Sequence, residues 1–429
     1  MPLREDYAGP FDPEVRLASF SRQALADLGR EYLLIGHLQD RAGLPLVMMR
    51  FGDEAMTQIS IEEWMAASPI YSERMQKTLG FVGNDVETVF KNLQLDIGAP
   101  PQFMDFQFRL DRPDYGEFWL AHCGALMDVE PFGEDRVRAM CHDIEDPTFD
   151  ATAAATHPCM KVRPIHRPPR IPEHRMPHCR WMVYIDGEGV EFEHHGNLEI
   201  NARSRAARLP IASCASSEAG GWPDYAGPFD PGFQLEDLSH GAQVAVLEET
   251  AIQIHLLARA LSMSVTDRFG AKDAAEIGRD QWTGIAALAA ERLQRWLGVG
   301  DDLESIAKVF QIHPHFQPRS YLDFGVQWAG DRIHLTLGPC AGREEEDPHS
   351  WCAGLDSGVH PALEAIAGVI NPAAHVVPAT TTTEGGLAWD VMLDPAQDPW
   401  KEPPALALAR VSRGATFSLE RRRLPRSDA

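Results

Sequence analysis

Several common functional signals are absent from this sequence, and each absence removes a class of protein. No stretch approaches the about 18 consecutive apolar residues that a membrane-spanning helix needs. The opening MPLREDYAGPFDP has no basic segment followed by an apolar one, so no secretory signal is expected. No GxGxxG follows a strand pattern, and neither a Walker loop nor a GxSxG elbow occurs, so nicotinamide, ATP and serine-hydrolase readings have no footing. Cysteines number seven, odd and sparse for 429 residues, with no CxxC pair. Reduced thiols in a cytoplasmic protein are therefore expected, and neither a zinc ribbon nor a disulfide framework. Basic residues are also scarce: 39 Lys and Arg face 63 Asp and Glu, a net charge of −24. That field would repel nucleic acid and anionic lipid, so neither is an expected partner.

What the chain does have is a repeat. YAGPFDP stands at Tyr7–Pro13 and again at Tyr225–Pro231, and the offset of 218 then holds without a gap. Glu31 and His37 meet Glu249 and His255, Arg50-Phe51-Gly52 meets Arg268-Phe269-Gly270, and Trp64 meets Trp282. Past a one-residue shift the correspondence continues with altered loop lengths. Cys123 faces Cys340, Met140-Cys141-His142 faces Trp351-Cys352-Ala353, and Trp181 faces Trp389. So long a unit indicates two homologous domains rather than a solenoid. At 44% hydrophobic, the chain has enough apolar residues for two cores. We divide it into a first repeat at 1–196, an Ala-, Ser-, Gly- and Arg-rich linker at 197–222, and a second repeat at 223–429.

The hydrophobic spacing predicts an α+β fold for each copy. Leu25, Leu28, Tyr32, Ile35 and Leu38 recur at helical steps. A second helix is expected from Ile61 toward Leu79 with Ser60 as N-cap, and a third over about Asp85–Leu93. Alternating, aromatic-rich segments at Phe103–Arg109, Glu117–His122, Val162–His166 and Trp181–Asp186 read as strands. Gly133–Asp146 reads as a helix ended by Pro147. The order is an N-terminal helical segment followed by a β-β-α-β-β antiparallel unit.

Subtracting one copy from the other separates scaffold from chemistry. His37 is matched by His255 on a helical face, which favours a satisfied core histidine, and the paired cysteines read as small buried hydrophobes. In contrast, His122, His142, Asp143 and His166 become Pro339, Ala353, Gly354 and Thr380, and His178-Cys179 becomes Gly386-Leu387. On a regular helix His142, Glu145 and Asp146 share one stripe, beside an apolar stripe of Val137, Met140, Cys141 and Ile144. An imidazole and a carboxylate one turn apart can reach one divalent cation, with His122 and His166 as third and fourth ligands. Glu145 is the weakest member, because Asp356 still occupies its place in the second copy. The basic stretch Lys161–Arg180 offers Arg163 and Arg167 as clamps for an anionic substrate group, or as partners of the acidic helix Glu134–Asp146.

The helical opening from Ala24 to Ala42, the strand ending at His122-Cys123, the helix with Cys141 to Asp146 and the strand from His178-Cys179 together resemble the L-2-amino-thiazoline-4-carboxylate hydrolase-like domain. The likeness to 4-vinyl reductase-type ligand-binding domains is more distant. The resemblance covers about residues 20–190 and, in degraded form, 238–395, and it implies hydrolytic opening of a C–N bond in an amide-like or heterocyclic substrate. The expected protein is a cytoplasmic, metal-dependent hydrolase with an active first repeat and a degenerate second one. Zinc, manganese or iron would be held by His122, His142, Glu145 and His166, with Asp143, Asp146 or His178 moving protons. A small molecule is the expected partner, and a homodimer is left open. A non-catalytic sensor, a non-haem iron oxygenase and a pure interaction scaffold are the rival readings.

Overall fold

A computed structural model describes residues 3–190, 196–380 and 384–424. The chain folds as two copies of a mixed helix-and-sheet unit, as the repeat predicts. The first copy runs α1 (Arg22–Phe51), α2 (Asp53–Thr78), α3 (Val86–Leu93), β1 (Met104–Arg112), β2 (Tyr115–Cys123), α4 (Gly124–Val129), α5 (Glu134–Arg138), α6 (Glu145–Thr156), β3 (Met160–His166) and β4 (Cys179–Ile185). Short helices α7 (Asn197–Ala202) and α8 (Arg205–Arg208) follow. The second copy runs α9 (His240–Phe269), α10 (Ala271–Leu297), α11 (Leu303–Ile312), β5 (Phe324–Trp328), β6 (Ile333–Leu337), α12 (Pro361–Ile370), β7 (Ala374–Pro378), β8 (Leu387–Leu393) and α13 (Pro404–Ala409). Each sheet is antiparallel, in the order β1-β2-β4-β3 or β5-β6-β8-β7. No helix among the described residues is long and apolar enough to cross a membrane.

The four long helices form the centre, and they are shared between the copies. α1 packs along α9 and α10, and α2 along α9, so one continuous core runs through both halves. The Arg-Phe-Gly triplets explain the join within each helix pair. Gly52 and Gly270 adopt φ of 91° and 94°, a region open mainly to glycine, and let one helix end where the next begins. Phe51 and Phe269 stack on each other at 3.6 Å where the halves meet. Arg50 pairs with Asp273 and Glu276 on α10, while Arg268 pairs with Glu62 on α2.

The YAGPFDP motifs are exchanged as well. The Tyr7 hydroxyl donates to Gln311, and Lys308 donates to the Gly9 carbonyl, both residues lying on α11 of the other copy. Reciprocally, the Tyr225 hydroxyl donates to Gln94 and Lys91 donates to the Gly227 carbonyl. Deeper in, Arg74 on α2 pairs with Glu249 on α9 at 2.8 Å, and Arg292 on α10 pairs with Glu31 on α1 at 2.7 Å. Each guanidinium also ties down the segment that follows a repeat: Arg74 holds the Ala207 and Leu209 carbonyls, and Arg292 holds those of Gly414 and Phe417. The stretch read as a linker is thus a fastened strap. Its Asn201 is fully buried and donates to the carbonyls of Ala66 on α2 and Leu256 on α9.

Two element expectations are corrected. α2 begins seven residues before Ser60, directly after Gly52, so Ser60 is a buried residue within the helix and not its cap. Pro147 does not end a helix either. A π-helical segment, Ala139–Ile144, closes just before α6, which puts Pro147 in the first turn of α6 where its missing N–H leaves no bond unmade.

Replacing Arg74 with Met should leave the buried Glu249 carboxylate uncompensated and cost about 3–5 kcal/mol of stability. Adding Glu249→Leu should restore much of that loss, since a buried pair can be exchanged for apolar packing. Urea denaturation of both variants measures this, and an unchanged midpoint in Arg74→Met would refute it.

Candidate functional site

The predicted metal ligands do not converge. On the π-helical segment the turn is wider than in an α-helix, so the stripe that joined His142 to Glu145 is broken. The His142 Nε2 lies 2.7 Å from the Pro168 carbonyl, whereas Glu145 turns inward with Met140 and Ile144. His122 faces His178 and Phe417. His166, on β3, is kept below its ordinary pKa by burial and by Arg175 and Arg180. Among the described residues no group of three or more His, Cys, Asp or Glu side chains is arranged to hold a metal ion.

The proton-moving and substrate-binding candidates are dispersed too. Asp143 is exposed. Asp146 pairs with Arg167, which also lies over the Trp181 ring, and Arg163 pairs with Asp150 at 2.7 Å. Arg170 holds Glu130 and Arg180 holds Glu117. The basic stretch therefore neutralises acids of its own half, and neither Arg163 nor Arg167 lines the two cavities described next. His178 lines a void of about 20 Å³ with Cys123, Cys141 and Cys179. Burial pushes all three thiols up, Cys123 to about 12, so they are neutral and poor nucleophiles as they stand.

The dominant cavity is elsewhere, between α1, α2 and the segment from α4 to α6. It encloses about 810 Å³, within the range of small-molecule sites. Met48, Met56, Met104, Met140, Phe106 and Phe149 supply much of an apolar wall. Polar groups gather at the inner end, on α1 and α2: His37, Asp40, Arg41, Trp64 and Tyr71. The Trp64 Nε1 donates to Asp40 at 3.3 Å, and Arg41 lies 3.2 Å from Asp40 and 3.8 Å from Asp128. Asp96, beyond α3, accepts from the Tyr71 hydroxyl at 3.0 Å and from the Gly98 N–H at 2.6 Å.

Burial perturbs these groups strongly. Glu145 is pushed up to about 8, first by loss of water and then by Asp146, against the pull of Arg167 and Arg41. It is a carboxyl group largely protonated at neutral pH. Asp96 is pushed up to about 6, its two hydrogen bonds only partly offsetting burial. Glu63, behind Asp40, is raised well above the usual carboxylate range by burial and by Asp40 itself. The Asp40 Oδ1 and Glu63 Oε1 have no donor among the described residues, and one shared proton would join this pair. His37 is held well below its ordinary value by burial and by Arg41, which the Ile97 backbone offsets only in part. Neither of its ring nitrogens has a partner in hydrogen-bonding geometry.

The second copy shows what the same place becomes when it is closed. His255, the counterpart of His37, has both nitrogens engaged, one with the Gln317 carbonyl at 2.8 Å and one with the Trp351 Nε1 at 2.9 Å. Trp351 stands where the first copy has Met140, and its ring packs 4.0 Å from that of Trp282, the counterpart of Trp64. His360 packs against Trp282 as well, ring centres 4.3 Å apart. Asp40, Glu63 and Tyr71 are replaced by Ala258, Gln281 and Ala289. The 218-residue offset already held these three differences in the sequence.

Glu145→Gln tests the burial of that carboxyl. A folded pKa near 8 against 4.5 means that ionising Glu145 destabilises the fold increasingly as pH rises from 4.5 to 8. The glutamine variant should match the wild type near pH 4.5 and become progressively the more stable one up to pH 8, as thermal melts across that range would show. A constant difference would contradict it.

No family model, curated protein or solved structure matches this chain.

Proposed function

We propose that the first copy binds a small, largely apolar molecule in the 810 Å³ cavity and acts on it by general acid–base catalysis, while the second copy is a scaffold. The observation that carries this reading is the contrast between the two histidines. His37 meets only the Ile97 backbone at a cavity wall, with no bond in good hydrogen-bonding geometry, whereas His255 has both nitrogens satisfied in a site packed with indole. A fold needing only a core histidine would have built the second arrangement twice, because unpartnered buried polar groups cost free energy.

Glu145 is the proton donor in this reading, since a carboxyl with its pKa near 8 carries its proton at neutral pH and can deliver it to a leaving or developing base. Asp40, with Glu63 behind it and His37 one turn away, is the proton acceptor. Hydrolysis of an amide-like or heterocyclic C–N bond, which the sequence resemblance implies, is a reaction that such a donor suits, because the departing nitrogen must take up a proton. The chemistry proposed uses only this chain's own side chains.

The uncharged fluorescent probe N-phenyl-1-naphthylamine tests the site. It should bind at one equivalent per chain, and Met140→Trp, which copies the plug of the second half, should weaken binding at least tenfold while the melting temperature stays near the wild-type value. Equal binding to both proteins would overturn the site. Turnover of a panel of amides and heterocycles should fall at least a hundredfold in Glu145→Gln and decline above pH 8 in the wild type. Binding of the probe without turnover of any panel member would leave a ligand-binding protein and overturn the catalytic half of the proposal.

A further inference from the structure

The inner wall of the cavity carries an unbalanced charge. Asp40 and Asp128 both face Arg41, so two carboxylates share one guanidinium. Asp128 is further secured by the Ser412 hydroxyl at 2.6 Å and the Arg413 N–H at 2.8 Å, both from the strap after α13, which leaves it no need of Arg41's full charge. Asp40 has no such support. Its Oδ2 takes the Trp64 indole N–H, its Oδ1 faces the buried Glu63 carboxyl, and the side chain is only 4% exposed. The remaining acids on this wall, Asp96 and Glu145, add no positive charge, and Glu63 stands behind Asp40 as a further carboxyl.

The cavity's other cation is Arg136, which is occupied elsewhere. It pairs with the exposed Asp53 at 3.3 Å and lies against the sulfurs of Met48 and Met56. Beside Asp40 the Trp64 and Tyr71 rings face the same space. A net negative wall and adjacent aromatic residues together make surroundings that attract a cation, through charge and through ring quadrupoles. The second copy has lost Asp40 to Ala258 and fills the space with Trp351, so the charge is not a requirement of the fold.

Resting on the reading of this cavity as a small-molecule site, we infer that its ligand is an organic cation, a protonated amine or amidine on a mainly apolar frame, whose charged head meets Asp40 between His37 and Trp64. The apolar body lies toward Met140, Phe106 and Phe149. An anionic ligand would have to displace Asp40 or Asp128 from Arg41, and a neutral one would leave two carboxylates sharing that one guanidinium.

Matched triplets of ammonium, alcohol and carboxylate on phenylethyl and naphthylethyl frames, titrated calorimetrically into the full chain, test this. The ammonium member should bind at least tenfold more tightly than its alcohol and at least a hundredfold more tightly than its carboxylate. Asp40→Asn should bring ammonium and alcohol within threefold of each other, with binding of N-phenyl-1-naphthylamine retained as the check that the cavity is intact. If Asp40→Asn does not fold, Trp64→Leu is the second variant, and it should lower ammonium affinity more than alcohol affinity. A preference for the alcohol or the carboxylate overturns the cation while leaving the site standing. Failure of all six compounds and of the naphthylamine probe overturns the site itself and the cation with it.

Discussion

Two reciprocal buried ion pairs hold the molecule together, Arg74 with Glu249 and Arg292 with Glu31. Each crosses from one copy to the other, and each guanidinium also gathers backbone carbonyls of the strap that follows a repeat. A buried charge is tolerated only when it is fully partnered, so these pairs specify one relative placement of the four long helices. The exchanged YAGPFDP motifs and the Phe51–Phe269 stack obey the same symmetry. Neither copy can complete its core without the other.

That shared scaffold frees one of the two equivalent sites from structural duty. The walls of both are built from the same helices, and their fates diverge at a few positions. In the second copy Trp351, Trp282 and His360 pack the space, and His255 is saturated with hydrogen bonds. In the first copy the smaller and more adaptable Met140 stands where Trp351 does, the space stays open, and carboxyls accumulate around it. The cost of burying Asp40, Glu63 and Asp96 in one region, beside the half-buried Glu145, is carried by a framework stabilised from both sides. Uncompensated polar groups lining a cavity are the pattern expected of a site that trades stability for binding or chemistry.

The repeat, the α+β class and most elements were legible from the residues. Offsets and periodicities report local geometry, and all eight strands and the long helices follow from it. Two helix boundaries were misplaced, because Gly52 and the π-helical turn before Pro147 act through backbone conformation that side-chain periodicity does not encode. The same turn shapes the site. It separated His142 from Glu145, which a regular helix would have stacked on one face, and it aimed Glu145 at the cavity. Asp40 against Ala258 and Glu63 against Gln281 carried the information that the histidines did not.

The sequence by itself determined that the chain is a duplication, that the two halves differ chemically, and that Arg-Phe-Gly and YAGPFDP recur for a shared structural reason. Those are properties of residues compared at a fixed offset. Only the tertiary structure decided which differences matter. Whether a carboxyl is a surface charge or a protonated acid depends on the water around it, and that depends on helices more than 200 residues apart packing side by side. His37 and His255 are the same residue at the same register. Which of them lines an open cavity was decided by Trp351, 96 residues beyond His255, whose indole closes the second site and whose counterpart Met140 leaves the first one open.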